Sequence, residues 1–257
     1  MGKLIVPREH GAWAMLLVPF LVGIGVNGFA FNLPVLLTAG LALALFLARY
    51  PLTLLVKYPQ RKNSYIPSLL LYLGAAGVLA VPLLVGYKLY ALIPMGVLAL
   101  VFLGSNLWLT ARGHERSLSA NLLGITGLSL TAPLAYYVSS GPIKLLSLML
   151  TLWIVCSLFF GSSLFYVKML FRESKNPYFR EAALTVHLLG LVVTVAGVLT
   201  GLAPLLLPLA FIPPLVKVVI AIRRSGTPSL RQIGFQEIAY SLVFLVLTII
   251  SFTYLLG

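Results

Sequence analysis

Apolar residues run along this chain in blocks of about 20, the length of one helical crossing of a bilayer. The blocks lie at roughly 12–31, 33–56, 66–86, 88–110, 118–139, 143–170, 182–201, 203–222 and 233–256, parted by short polar stretches rich in Pro, Gly, Ser and Asn. The pattern predicts an all-α fold, a polytopic membrane bundle of nine transmembrane helices. No polar stretch is long enough for a separate soluble domain, so residues 1–257 are read as a single transmembrane domain. Pro213 and Pro214 fall inside the eighth block and are expected to kink or break it. The first block follows Lys3 and Arg8, exceeds the length of a signal-peptide core and lacks a small-residue cleavage site, which makes it a retained span.

Composition agrees: 60% of residues are hydrophobic and 9% charged, where soluble domains carry about a quarter charged residues. The 18 Lys and Arg face five acids, all glutamates: Glu9, Glu115, Glu173, Glu181 and Glu237. In a soluble protein that balance would suggest nucleic acid. Here every base except Lys88 and Lys144 falls at alternate ends of the spans, so the positive-inside rule accounts for the charge and no nucleic-acid partner is expected. The same rule predicts a cytoplasmic N-terminus and an outer C-terminus in the cell membrane, with the basic loops against anionic lipid. The single cysteine, Cys156, lies in an apolar run, which leaves no disulfide framework and no thiolate metal cluster.

Three groups of polar residues are candidates for chemistry. Arg8, Glu9 and His10 precede the first span: His10, with Glu9, is a candidate acid or base and Arg8 an anion clamp. A structural reading is equally open, with Pro7 in the first helical turn, Glu9 facing the helix dipole and Trp13 in the interfacial aromatic belt. Second, Arg49, Thr53 and Lys57 recur at i, i+4, i+8 near the inner end of span two, and Lys168, Arg172 and Lys175 at i, i+4, i+7 near that of span six. Each set lies on one helix face, with Tyr50 and Tyr166 alongside, and together they would bind an anion or snorkel to the headgroups. Third, Asn106, Trp108, Asn121, His187, Gln236, Glu237 and Tyr240 fall within spans, where polar groups usually face the bundle interior, as site residues or as interhelical glue. An intramembrane acid needs a partner; for Glu237, His187 and Arg231 are the candidates. Gly124 and Gly127 read as close-packing positions.

The chain has no P-loop, no G-x-S-x-G elbow, and neither an H-x-E nor a C-x-x-C pair. Its three histidines are far apart, against the helical spacing expected of an intramembrane haem site. No metal site and no particular cofactor is indicated.

The segment "PREHGAWAMLLVPF" resembles the N-terminal signature of the YwiC-like family of bacterial integral membrane proteins, which implies a membrane protein and no particular reaction. Nine spans, an inner N-terminus, basic inner loops after spans two and six, and the fifth span "RSLSANLLGITGLSLTAPLAYYV" are more distantly similar to the UbiA superfamily of intramembrane prenyltransferases. That resemblance implies a UbiA-like helix arrangement and a lipid-open cavity for an isoprenoid or other lipidic substrate. The superfamily holds isoprenyl diphosphate through magnesium on aspartate-rich motifs at the inner ends of spans two and six. This chain has "ARYPLTLLVK" and "FYVKMLFRES" there, with bases and no aspartate; Glu173 and Glu181 would restore a metal ligand near span six only. Direct binding of an anion by Arg and Lys replaces magnesium in that reading.

Three functions are expected in descending order. The first is a transferase-like intramembrane enzyme, or an enzyme-fold relative, with membrane lipids and an anionic or isoprenoid ligand as partners. A transporter or lipid-binding carrier comes second, and an assembly subunit of a larger membrane complex third.

Overall fold

The computed structural model describes residues 4–7, 10–140, 146–223 and 228–256, and every regular element among them is helical. The predicted blocks reappear as α1 (His10–Gly25), α2 (Leu33–Lys57), α3 (Lys62–Val81, continued by a π-helical turn Pro82–Gly86), α4 (Leu92–Ala111), α5 (Leu118–Ser129) with α6 (Thr131–Ser139), α7 (Leu146–Phe171), α8 (Pro177–Leu199), α9 (Ile212–Arg223) and α10 (Leu230–Leu256). Among the described residues, seven helical stretches are long and apolar enough to cross a membrane. The first and eighth expected spans are shorter, with 16 residues in α1 and 12 in α9.

Proline explains two of the departures. The fifth span divides at Leu130, because Pro133 has no N–H for the carbonyl four residues earlier and its ring crowds that carbonyl. Pro213 and Pro214 break the eighth span, one of the two outcomes expected, and no long kinked helix forms. They lie in the first turn of α9, where no intrahelical N–H bond is due, and a 3-10 turn at Leu207–Phe211 leads into them. The eighth span is thus a turn plus a short helix.

The core gathers around α7. Phe159 stacks on Phe244 of α10 at 3.9 Å between centroids, and Phe211 meets Phe244 edge-on at 6.0 Å. α1 is packed between α6, α10, α5 and α7. Its closest approach is at Gly23, where a Cβ would stand 2.2 Å from the Ala132 carbonyl oxygen, so only glycine lets these two backbones touch. Large apolar side chains such as Leu70 and Val78 on α3, Leu100 on α4, Val192 on α8 and Val246 on α10 are exposed. An outer surface of that kind suits lipid rather than water.

Two local features set up the end of the bundle where α2, α4, α5 and α7 meet. Gly113, at φ +78°, closes the turn after α4 in the left-handed region that favours glycine. The Ser117 hydroxyl then accepts the Ala120 N–H at 3.1 Å and caps α5. The turn between them is short and fixed at both ends.

Candidate functional site

The two basic stripes converge. Arg49, Tyr50 and Lys57 of α2, Asn106 of α4, Asn121 of α5 and Arg172, one residue past the end of α7, line a single cavity of about 600 Å³. Lys168 does not line it but reaches its edge, because both Lys168 and Arg172 donate to the Arg116 carbonyl, at 3.2 and 3.4 Å. Two helices far apart in sequence therefore present cations to one space, across the α4–α5 turn.

The asparagines shape that space. Asn106 is buried and donates to the Ala120 carbonyl at 2.6 Å, tying α4 to α5. Asn121 donates to the Ser117 carbonyl of its own helix at 2.8 Å. For Asn106 the interhelical-glue reading and the lining position hold together. The cavity also contains a residue that no periodicity marks, Glu115, whose carboxylate lies 2.5 Å from Lys57 Nζ and 3.8 Å from Arg116 Nε.

An apolar groove of about 200 Å³ adjoins this cavity, with Leu41, Met95, Phe102, Leu103 and Leu128 on its walls. Phe46, Arg49 and Asn106 border both spaces. Gly124 lies at the seam: a Cβ there would meet Arg49 Nη2 at 3.7 Å and Asn106 Nδ2 at 3.9 Å, both ordinary contacts. Gly127 is the tighter position, 3.1 Å from Phe102 Cβ, and is a close-packing glycine as expected.

Tyr166 and Glu237 belong to a different cluster. Glu237 of α10 pairs with Lys217 of α9 at 2.6 Å and accepts a hydrogen bond from Ser163 on its other oxygen. This corrects the expectation of His187 or Arg231 as its partner. Lys217 had the look of one more topology base, but α9 places it 5% exposed, over the rings of Tyr166 and Tyr240 at 4.1 and 4.7 Å. Tyr166 accordingly faces this cluster and not the cavity, and its hydroxyl donates to Gln236 Oε1 at 3.4 Å. His187 is buried with Nδ1 2.7 Å from the Ala183 carbonyl oxygen, while no partner meets Nε2 among the described residues.

Arg8, Glu9 and the side chain of His10 lie outside the described residues. Their described neighbours Pro7 and Ala12 both line the cavity. The segment before them is tied to α3, with the Ile5 N–H donating to Ser68 Oγ at 3.3 Å and the Tyr72 hydroxyl to the Ile5 carbonyl at 3.0 Å. Among the described residues no three His, Cys, Asp or Glu side chains come together as a metal site would require.

Fold and surface define a multi-pass helical membrane protein with a cationic cavity at one end of the bundle. The chain belongs to the YwiC-like protein family, whose model matches residues 6–136. An uncharacterized protein of Haemophilus influenzae is 30% identical over 254 residues, 97% of this chain and 99% of the relative. The uncharacterized protein YwiC of Bacillus subtilis is 31% identical over 188 residues, 73% of this chain and 75% of its own length. No solved structure matches the chain.

Proposed function

We propose that this protein binds an amphipathic anion, with the charged head in the cationic cavity and the apolar chain in the adjoining groove, and acts on it as an intramembrane enzyme or enzyme-fold relative. The observation that carries the reading is the wall that the two spaces share at Arg49: a cavity of about 600 Å³ lined by Arg49, Lys57 and Arg172 adjoins a groove of about 200 Å³ lined by Leu, Met and Phe. Arg and Lys meet a phosphate or carboxylate directly, without a divalent ion. The charge bias along the chain supports a cytoplasmic mouth. The family's opening segment supplies the acid/base candidates Glu9 and His10, between the cavity-lining Pro7 and Ala12.

A carrier is the second reading. It is favoured by the broken eighth span, whose short α9 brings a charged side chain, Lys217, into the interior.

Native mass spectrometry with lipid extraction tests the binding step, on wild type beside an Arg49→Ala/Arg172→Ala variant. An anionic amphiphile that accompanies the wild type and is lost from the variant is the expected result. Equal amounts of bulk lipid on both would reduce the basic stripes to topology signals and overturn the reading.

A further inference from the structure

Three of the cations at the cavity, Lys57, Lys168 and Arg172, already meet acceptors that come from one turn. Lys57 holds the Glu115 carboxylate at 2.5 Å, while Lys168 and Arg172 share the Arg116 carbonyl at 3.2 and 3.4 Å. Adjacent residues thus offer two separate acceptor groups to three bases drawn from two helices. The turn is held where it is by its ends: Arg112 stacks over the Trp108 ring at 3.9 Å, Gly113 supplies the left-handed bend, and Ser117 caps the helix that follows.

The chemistry of the contact matters as much as its position. Glu115 places a negative charge inside a cavity whose other described charged lining residues, Arg49, Lys57, Arg116 and Arg172, are all cationic. The Lys57–Glu115 pair keeps 35% and 26% of its side-chain surface exposed, in contrast with the 5% of Lys217. An ion pair so open to water exchanges partners at little cost, because solvent screens both its formation and its loss. A ligand anion entering the cavity meets the same nitrogen that Glu115 holds.

We propose that Glu115 is an internal stand-in for the ligand's anion and sets the affinity of the site, and that the head that replaces it is a phosphate monoester. The proposal rests on the amphipathic-anion reading above. A phosphate monoester carries close to two charges and three terminal oxygens near neutral pH, enough to accept from Lys57 on one side and from Arg172 on the other. Carboxylate and carbonyl together mimic that demand: one charged acceptor and one neutral acceptor, presented by neighbouring residues to different bases. Entry of the head moves Glu115 off Lys57, and Glu115 is left with Arg116 of its own turn, already 3.8 Å away.

The test uses the full chain in nanodiscs of neutral phosphatidylcholine, titrated with dodecyl phosphate and, as the uncharged control, dodecanol. Glu115→Gln is expected to bind dodecyl phosphate about threefold more tightly than wild type, the size of effect that one water-exposed charge pair carries, with dodecanol unchanged. Adding Lys57→Gln to Glu115→Gln should cancel the gain, since the gain acts through that nitrogen. Thermal unfolding of each variant separates a binding effect from a folding defect, and the Lys57→Gln/Glu115→Gln double variant keeps the cycle readable if one single variant folds poorly. If wild type binds dodecyl phosphate no better than dodecanol, the anion reading itself falls and the inference with it. If wild type prefers the phosphate and Glu115→Gln binds it equally or less tightly, the cavity keeps its anion and Glu115 is not its stand-in.

Discussion

Lys57 and Lys217 each hold a glutamate carboxylate, at 2.5 and 2.6 Å, in surroundings that differ in almost every other respect. Lys57 ends a long helix at a wide polar cavity, beside other cations and in reach of water. Lys217 sits inside the bundle under two tyrosine rings, and the second oxygen of its glutamate is taken by Ser163. Distance alone would rank the pairs together. Burial separates them: the exposed pair is weak and exchangeable, whereas an interior pair is costly to assemble and far more costly to break on one side. The first therefore suits a site that receives an anion, and the second suits a joint that must not move.

The largest expected effect lies at the interior pair. Lys217→Ala leaves the Glu237 carboxylate, 19% exposed, without its cation and with Ser163 as its remaining partner among the described contacts, and the expected loss is about 3 kcal/mol of stability, read by denaturant unfolding in micelles. A Lys217→Met/Glu237→Gln double variant, which removes both charges, should recover most of it. A single variant as stable as wild type would erase the distinction between the two pairs. Next comes Arg49→Ala, at the seam of cavity and groove. It should weaken binding of an anionic amphiphile by about tenfold, the usual weight of a hydrogen bond to a charged group, without a comparable change in unfolding. Loss of stability with binding intact would make Arg49 a packing residue.

How much of this was legible depended on periodicity. The stripes on α2 and α7 follow from i, i+4 spacing, and the seam residues Arg49 and Asn106 follow from a polar side chain in an apolar run. Lys217 was missed for a physical reason: a base near the end of an apolar block is counted as a topology signal, and only the Pro213/Pro214 start of a short α9 shows that it lies inside. The available clue was its isolation, six residues before Arg223 with apolar neighbours on both sides. That Glu237 needs a partner follows from its place in a span, but sequence carries no distance: it offers His187 and Arg231, and the structure supplies Lys217. Glu115 sits in a turn, where no periodic rule operates. Gly124 and Gly127 look alike in sequence and both line the groove, yet one lies beside Arg49 and Asn106 and the other packs against Phe102.

That pair of glycines gives a smaller effect. Gly124→Ala adds a methyl at ordinary contact distance from Arg49 and should leave binding nearly unchanged. Gly124→Leu extends into the passage between head and chain sites and should cost about threefold in amphiphile binding, with unfolding little altered. Equal binding by both variants would mean that the ligand does not cross this seam.

The smallest expected effect completes the comparison from its exposed side. Lys57→Gln removes the cation from a pair that water already screens, so the unfolding midpoint should stay within about a degree of wild type. The same substitution takes one positive charge out of the cavity lining and should weaken binding of a phosphate monoester measurably, more at low ionic strength than at high. A change in stability as large as that of Lys217→Ala would place Lys57 in the structural frame. The division between an exchangeable pair and a locked one would then fail at its exposed member, and the cavity would have to hold its anion with Arg49, Arg116 and Arg172.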